Sequence, residues 1–84
     1  VYQELNDIET LSECYFNLGD AYYEEGKYEK AIDAYTNAIN IDNDNVLYLS
    51  RRGLCYSLIQ KYDNSKEDLV TIMTLQEHGT EIGY

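Results

Sequence analysis

The sequence predicts an all-α fold of tandem helix-turn-helix repeats, a segment of an α-solenoid. Three observations carry that expectation. Proline is absent from all 84 residues, so no position is barred from a helix interior. Apolar side chains recur at three- and four-residue spacing through most of the chain, the period of an amphipathic helix. Finally, Gly19 and Gly53, Tyr22 and Tyr56, Lys27 and Lys61, and Tyr28 and Tyr62 each stand 34 residues apart. A fixed period of that size denotes stacked two-helix units rather than one irregular globule.

Each element follows in order. Residues 1–11 form a lead-in or the end of a preceding helix, with Tyr2, Leu5 and Ile8 at helical spacing. The first full helix is expected over residues 11–24. Thr10 or Ser12 is placed to supply its N-cap oxygen, and Glu13 adds negative charge near its positive end. Gly19 falls inside this helix, where glycine costs about 1 kcal/mol against alanine. That cost is tolerable only where another chain segment passes close by. Glu25-Gly26-Lys27 reads as a turn, with Gly26 suited to the left-handed conformation after a helix end. The second helix, over residues 28–40, carries the apolar stripe Ala31, Ile32, Tyr35, Ala38 and Ile39. Asp42-Asn43-Asp44-Asn45 is a polar breaker rich in capping residues. The third and fourth helices are expected over residues 46–59 and 62–76. Gln60 stands where Gly26 stood, so the second turn is expected to rely on Asp63 or Asn64 as caps. Gly79 is placed to close the last helix, leaving residues 80–84 as a tail.

Composition narrows the function classes. Sixteen acidic residues against six basic ones give a net charge of −10. Phosphate recognition needs clustered Lys and Arg, so nucleic acid is excluded as a partner, and an anionic membrane surface with it. No run is long and apolar enough to span a bilayer. The two cysteines, Cys14 and Cys55, both fall on apolar faces. They read as small buried hydrophobes rather than a disulfide, which points to a reducing, intracellular and cytoplasmic setting. The chain starts at Val1, as expected of a segment from a longer protein.

Catalytic chemistry has no constellation to rest on, and the chain is not expected to be an enzyme or to hold a cofactor. His78 is the only histidine and lies near the end of the last helix. Glu24-Glu25 and Glu67-Asp68 are sequence neighbours, which diverge on a helix. Asp42–Asn45 resembles half of a calcium loop but lacks the glycine and the distal bidentate glutamate, so no metal is expected.

The spacing of these residues resembles the tetratricopeptide repeat, whose pattern runs Trp-x-x-Leu-Gly-x-x-Tyr, then Ala-x-x-x-Phe, then Pro. In residues 12–45, Tyr15 takes the Trp place, followed by Leu18, Gly19, Tyr22, Gly26, Tyr28, Ala31, Tyr35 and Ala38, with Asn43 replacing Pro. Residues 46–79 keep Gly53, Tyr56 and Tyr62 but depart at Leu49, Arg52, Ser65 and Leu69. The resemblance implies a right-handed solenoid in which Gly19 and Gly53 permit close helix contact, with Ala31 fitted against them. It also implies that Tyr22, Tyr28, Tyr35, Tyr56 and Tyr62 fill the wedges between helices, their hydroxyls at the wet edge.

By the same resemblance, a concave face binds a peptide or a partner helix. Its residues here would be Glu13, Phe16, Asn17, Asp20, Tyr23 and Glu24 on the first helix, and Leu47, Ser50, Arg51, Leu54 and Ser57 on the third. Helical geometry agrees, since Phe16, Asp20 and Tyr23 lie at i, i+4 and i+7. A basic and apolar protein or peptide would complement that face, although the same acids also serve as ordinary solvated charges. One subset of the family clamps acidic chaperone tails with Lys, Asn and Arg. Phe16, Asp20 and Arg51 depart from that pattern. At the C-terminal end, Leu69, Val70, Ile72, Met73 and Leu75 are expected to be partly uncovered. They mark either a homodimer contact or a seat for further repeats.

Overall fold

The protein's structure, a computed structural model, describes residues 2–82, and the side chains of residues 9–76. Four helices follow one another: α1 (Tyr2–Glu24), α2 (Tyr28–Ile41), α3 (Val46–Leu58) and α4 (Tyr62–Ile82). Each packs chiefly on its sequence neighbour, α1 on α2, α2 on α3 and α3 on α4. The result is a slab with extents of 38 × 33 × 16 Å. Its core lies along α2 and α3, where Ala31, Ala34, Tyr35, Ala38, Leu49 and Cys55 are buried.

Both ends of the predicted helix set are longer than expected. α1 is continuous from Tyr2, because nothing between the lead-in and residue 11 breaks a helix. Ser12 is therefore an interior residue and not an N-cap. Its hydroxyl donates to the Glu9 carbonyl at 2.9 Å and lies 3.3 Å from the Tyr48 hydroxyl, tying α1 to α3. Gly79 does not close the last helix, which runs on to Ile82. The tail at residues 83–84 and the His78 side chain lie outside the described residues.

The two intra-repeat turns share one geometry. After α1, the Gly26 N–H donates to the Tyr23 carbonyl and the Lys27 N–H to the Tyr22 carbonyl, with Gly26 at φ +81°. After α3, the Gln60 N–H donates to Ser57 and the Lys61 N–H to Tyr56, with Gln60 at φ 66°. This is a helix C-cap built around one left-handed residue, twice, 34 residues apart. Gln60 itself therefore takes the strained conformation that Asp63 or Asn64 capping was expected to avoid. Between the repeats Asn45 caps α3 by accepting the Tyr48 N–H at 3.2 Å, and its own amide donates to Asp42 at 3.1 Å. Local capping thus accounts for the acidic breaker.

Two packing expectations are corrected. Cys14 is exposed rather than buried, whereas Cys55 is fully buried. Tyr62 is 62% exposed. Its counterpart Tyr28 packs its ring 5.6 Å from that of Tyr23. Ser57 stands in the Tyr23 place of the second repeat and offers no ring.

Candidate functional site

Asp20 and Arg51 meet on the face shared by α1 and α3. Arg51 Nη1 donates to Asp20 Oδ1 at 3.0 Å, and the same oxygen accepts the Tyr35 hydroxyl from below. Tyr35 is fully buried, so Asp20 supplies the partner that its hydroxyl needs. Burial, then the hydrogen bond to Asp20, hold the Tyr35 phenol well above its ordinary 10.0. The guanidinium of Arg51 also lies 5.7 Å from the centre of the Phe16 ring. Phe16 in turn stacks on Tyr48 at 4.9 Å and tilts against Tyr35 at 5.6 Å. Phe16, Asp20 and Arg51 are therefore built into the floor of the face, and their positions are set by the core beneath.

Around that floor, Glu13, Asn17, Glu24 and Leu47 are exposed, and Tyr23 is half-buried against Tyr28. Ser50, Leu54 and Ser57 line a cleft of about 340 Å³ between α3 and α4, together with Gly53, Leu69 and Ile72. The expected face thus divides into an acidic, aromatic part over α1 and an apolar cleft beside α4. Of the five residues expected at the C-terminal edge, Leu69, Val70 and Met73 are exposed. Ile72 and Leu75 are half-buried and pack on the cluster of Ala38, Ile39, Tyr48 and Leu49.

A second charged pair lies deeper. Arg52 donates twice to Asp68, at 2.9 and 2.7 Å, and once to Thr36 at 3.2 Å. Asp68 is almost wholly buried. That bidentate bond raises the Arg52 guanidinium above its usual value, against the opposing effect of burial. The pair ties α3 to α4 and, through Thr36, to α2. It was not expected from the sequence, although both residues replace apolar ones of the first repeat, Leu18 and Ala34. Among the described residues, no cluster of three His, Cys, Asp or Glu could hold a metal ion. No helix there is long and apolar enough to cross a membrane.

Antiparallel helix pairs repeated at 34 residues, each turned by the same cap and walled by tyrosines, define a helical-repeat protein. A family profile described as TPR repeat matches residues 13–60, more than half of the chain. The chain belongs to the tetratricopeptide repeat family. It is 36% identical over 62 residues to the small glutamine-rich tetratricopeptide repeat-containing protein of Dictyostelium discoideum, covering 74% of this chain and 19% of that one. It is 39% identical over 51 residues to Hsp70-Hsp90 organizing protein 1 of Arabidopsis thaliana, covering 61% of this chain and 9% of that one. The chain thus spans a fifth or less of these relatives. Among solved structures, the second TPR of Spaghetti (RPAP3) bound to the HSP90 peptide SRMEEVD superposes with a TM-score of 0.79 at 31% identity. That match covers 89% of this chain and 68% of the other.

Proposed function

We infer that this chain is a protein–protein interaction module that holds a peptide or partner helix across the face of α1 and α3, with its two repeats at residues 12–45 and 46–79. The observation that carries this reading is the Asp20–Arg51 pair. It is a partly exposed charged pair, held rigid by Tyr35 and Phe16 and surrounded by exposed Glu13, Asn17, Glu24 and Leu47. Rigid, preoriented polar groups beside apolar surface suit recognition, because little ordering is needed when a ligand arrives. The peptide-bound state of a structural neighbour supports the same use of the fold. Two free cysteines suit a reducing, intracellular setting.

The preferred ligand is basic and apolar. The peptide bound by the neighbour carries two glutamates and an aspartate against one arginine. On this chain such a peptide would meet Glu13, Glu24 and an arginine already engaged by Asp20. A ligand with Lys or Arg beside an apolar side chain meets complementary charge, and Leu47 offers apolar contact.

Fluorescence anisotropy with labelled SRMEEVD and a form with its three acids replaced by lysine, SRMKKVK, tests the assignment. The basic peptide should bind more tightly. A Glu13→Lys/Glu24→Lys variant should lose that preference, since both residues are exposed and can change without loss of fold. Asp20 is unsuitable for the same test, because Tyr35 depends on it. Tighter binding of SRMEEVD would overturn the charge preference. Equal binding of both peptides by wild type and variant would remove the face itself.

A further inference from the structure

The 34-residue period sets each residue of the seam between the first repeat and α3 against a counterpart at one of the chain's two ends. The seam is filled by Tyr48, Arg52 and Cys55 of α3: Tyr48 shares a buried cluster with Ala38 of α2, Cys55 shares one with Tyr35, and Arg52 donates to Thr36. Shifting the α3 residues back by one period gives Cys14, Leu18 and Ala21. All three are exposed on one face of α1. Moving the α2 residues forward by one period gives Ile72, Val70 and Leu69. Leu69 and Ile72 line the cleft between α3 and α4, Val70 follows Leu69 on α4, and Leu69 and Val70 are exposed.

The substitutions are matched across the shift. Large Tyr48 over small Ala38 becomes small Cys14 opposite larger Ile72. The polar pair Arg52 and Thr36, bonded at 3.2 Å, becomes the apolar pair Leu18 and Val70. Leu18 and Val70 are 45% and 51% exposed, as expected of two halves of a seam without their partners. Cys55 against Tyr35 becomes Ala21 against Leu69. In each shifted pair the two members therefore suit one another, small opposite large or apolar opposite apolar, although each differs from its counterpart in the seam.

We propose that these ends are the two halves of one interface, with α1 of a second copy seated in the α3–α4 cleft, so that copies stack head to tail. The contact continues the seam already present between the repeats. It is heterologous, because each copy offers two different surfaces, and it extends rather than closing on a dimer. The net charge of −10 opposes it at long range. Added salt screens that repulsion and leaves the apolar contact in place. The inference is independent of which ligand the α1–α3 face takes.

Sedimentation equilibrium in reducing buffer, up to millimolar chain concentration, decides the matter. Wild-type mass should rise past twice the single-chain value without a plateau, and rise further with salt. Leu18→Asp and Val70→Asp each alter one exposed end, so each alone should stay at the single-chain mass with an unchanged helical spectrum. Mixed in equal amounts, the two variants retain one intact pair of surfaces and should level off at a twofold mass. Three results would overturn the proposal. A wild type at single-chain mass throughout would reserve both ends for other partners, flanking repeats included. Loss of association in only one of the variants would indicate a symmetric contact. A mixture that stays at single-chain mass would show that the two ends do not fit each other.

Discussion

Substituting alanine at the two signature glycines should have opposite effects. In a helix interior, Gly→Ala ordinarily stabilises by about 1 kcal/mol. At Gly19 a Cβ would stand 2.5 and 2.6 Å from two ring carbons of Tyr35, and 3.0 Å from a third. Carbon atoms pack at about 3.5–4.0 Å, so the ring would have to move by roughly an ångström. It has little freedom to do so, being fully buried with its hydroxyl held by Asp20. Overpacking of this kind costs about 1–3 kcal/mol, and two close ring atoms place Gly19 toward the upper end. The net effect of Gly19→Ala is then a loss of about 1–2 kcal/mol. At Gly53 the nearest atom to a Cβ is Asp68 Cβ at 3.5 Å, an ordinary contact. Gly53→Ala should therefore gain up to about 1 kcal/mol. At about 4–8 °C per kcal/mol for a chain of this size, the two variants should melt about 10–20 °C apart. Urea and thermal unfolding followed by far-UV circular dichroism measure this directly. Gly19→Ala combined with Tyr35→Leu, the residue at the equivalent place in the second repeat, should cost less than the sum of the two changes. A Gly19→Ala variant as stable as wild type, or a Gly53→Ala variant equally damaged, would refute the reasoning.

Three further expectations follow from the same structure. Arg52→Leu alone strands the Asp68 carboxylate in the core and should cost about 3 kcal/mol. The double variant Arg52→Leu/Asp68→Ala, which installs the first repeat's own residues, should recover most of that loss in a denaturation cycle. Gln60→Gly removes a side chain from a left-handed backbone position and should stabilise by about 1 kcal/mol in urea unfolding. Burial pushes the Cys55 thiol from its ordinary 9.0 up to about 11. The unfolded chain therefore loses that proton first, and stability should fall as pH rises from 9.0 towards 11, with a smaller slope in Cys55→Ala. The raised Tyr35 phenol extends the same decline to higher pH.

Helix order and the repeat were legible because both rest on spacing, and spacing survives substitution. Gly26 predicted its own left-handed turn; the same offset placed Gln60 in the second turn, where capping by Asp63 or Asn64 was expected instead of a left-handed residue. Cys14 was misplaced for an instructive reason. Periodicity identifies residues that share a helix face, but it does not reveal whether a neighbour covers that face. Leu18 and Cys14 form an apolar stripe that stays largely exposed. Arg52 and Asp68 are sixteen residues apart on different helices, so no local pattern joins them. Their shared signal was that both carry charge where the first repeat carries Leu18 and Ala34. Asp20 and Arg51 were each expected on the concave face. The bond between them, and its root in Tyr35, required the packed core.

The slab-like packing of each helix on its sequence neighbour also bears on how the chain reaches its fold. Most contacts join residues near in sequence, so little loop entropy is lost before contacts form. Low contact order of this kind corresponds to folding in microseconds to milliseconds. The amides of α2 and α3, flanked on both sides, should exchange with solvent most slowly, and protection should decline outward from that seam.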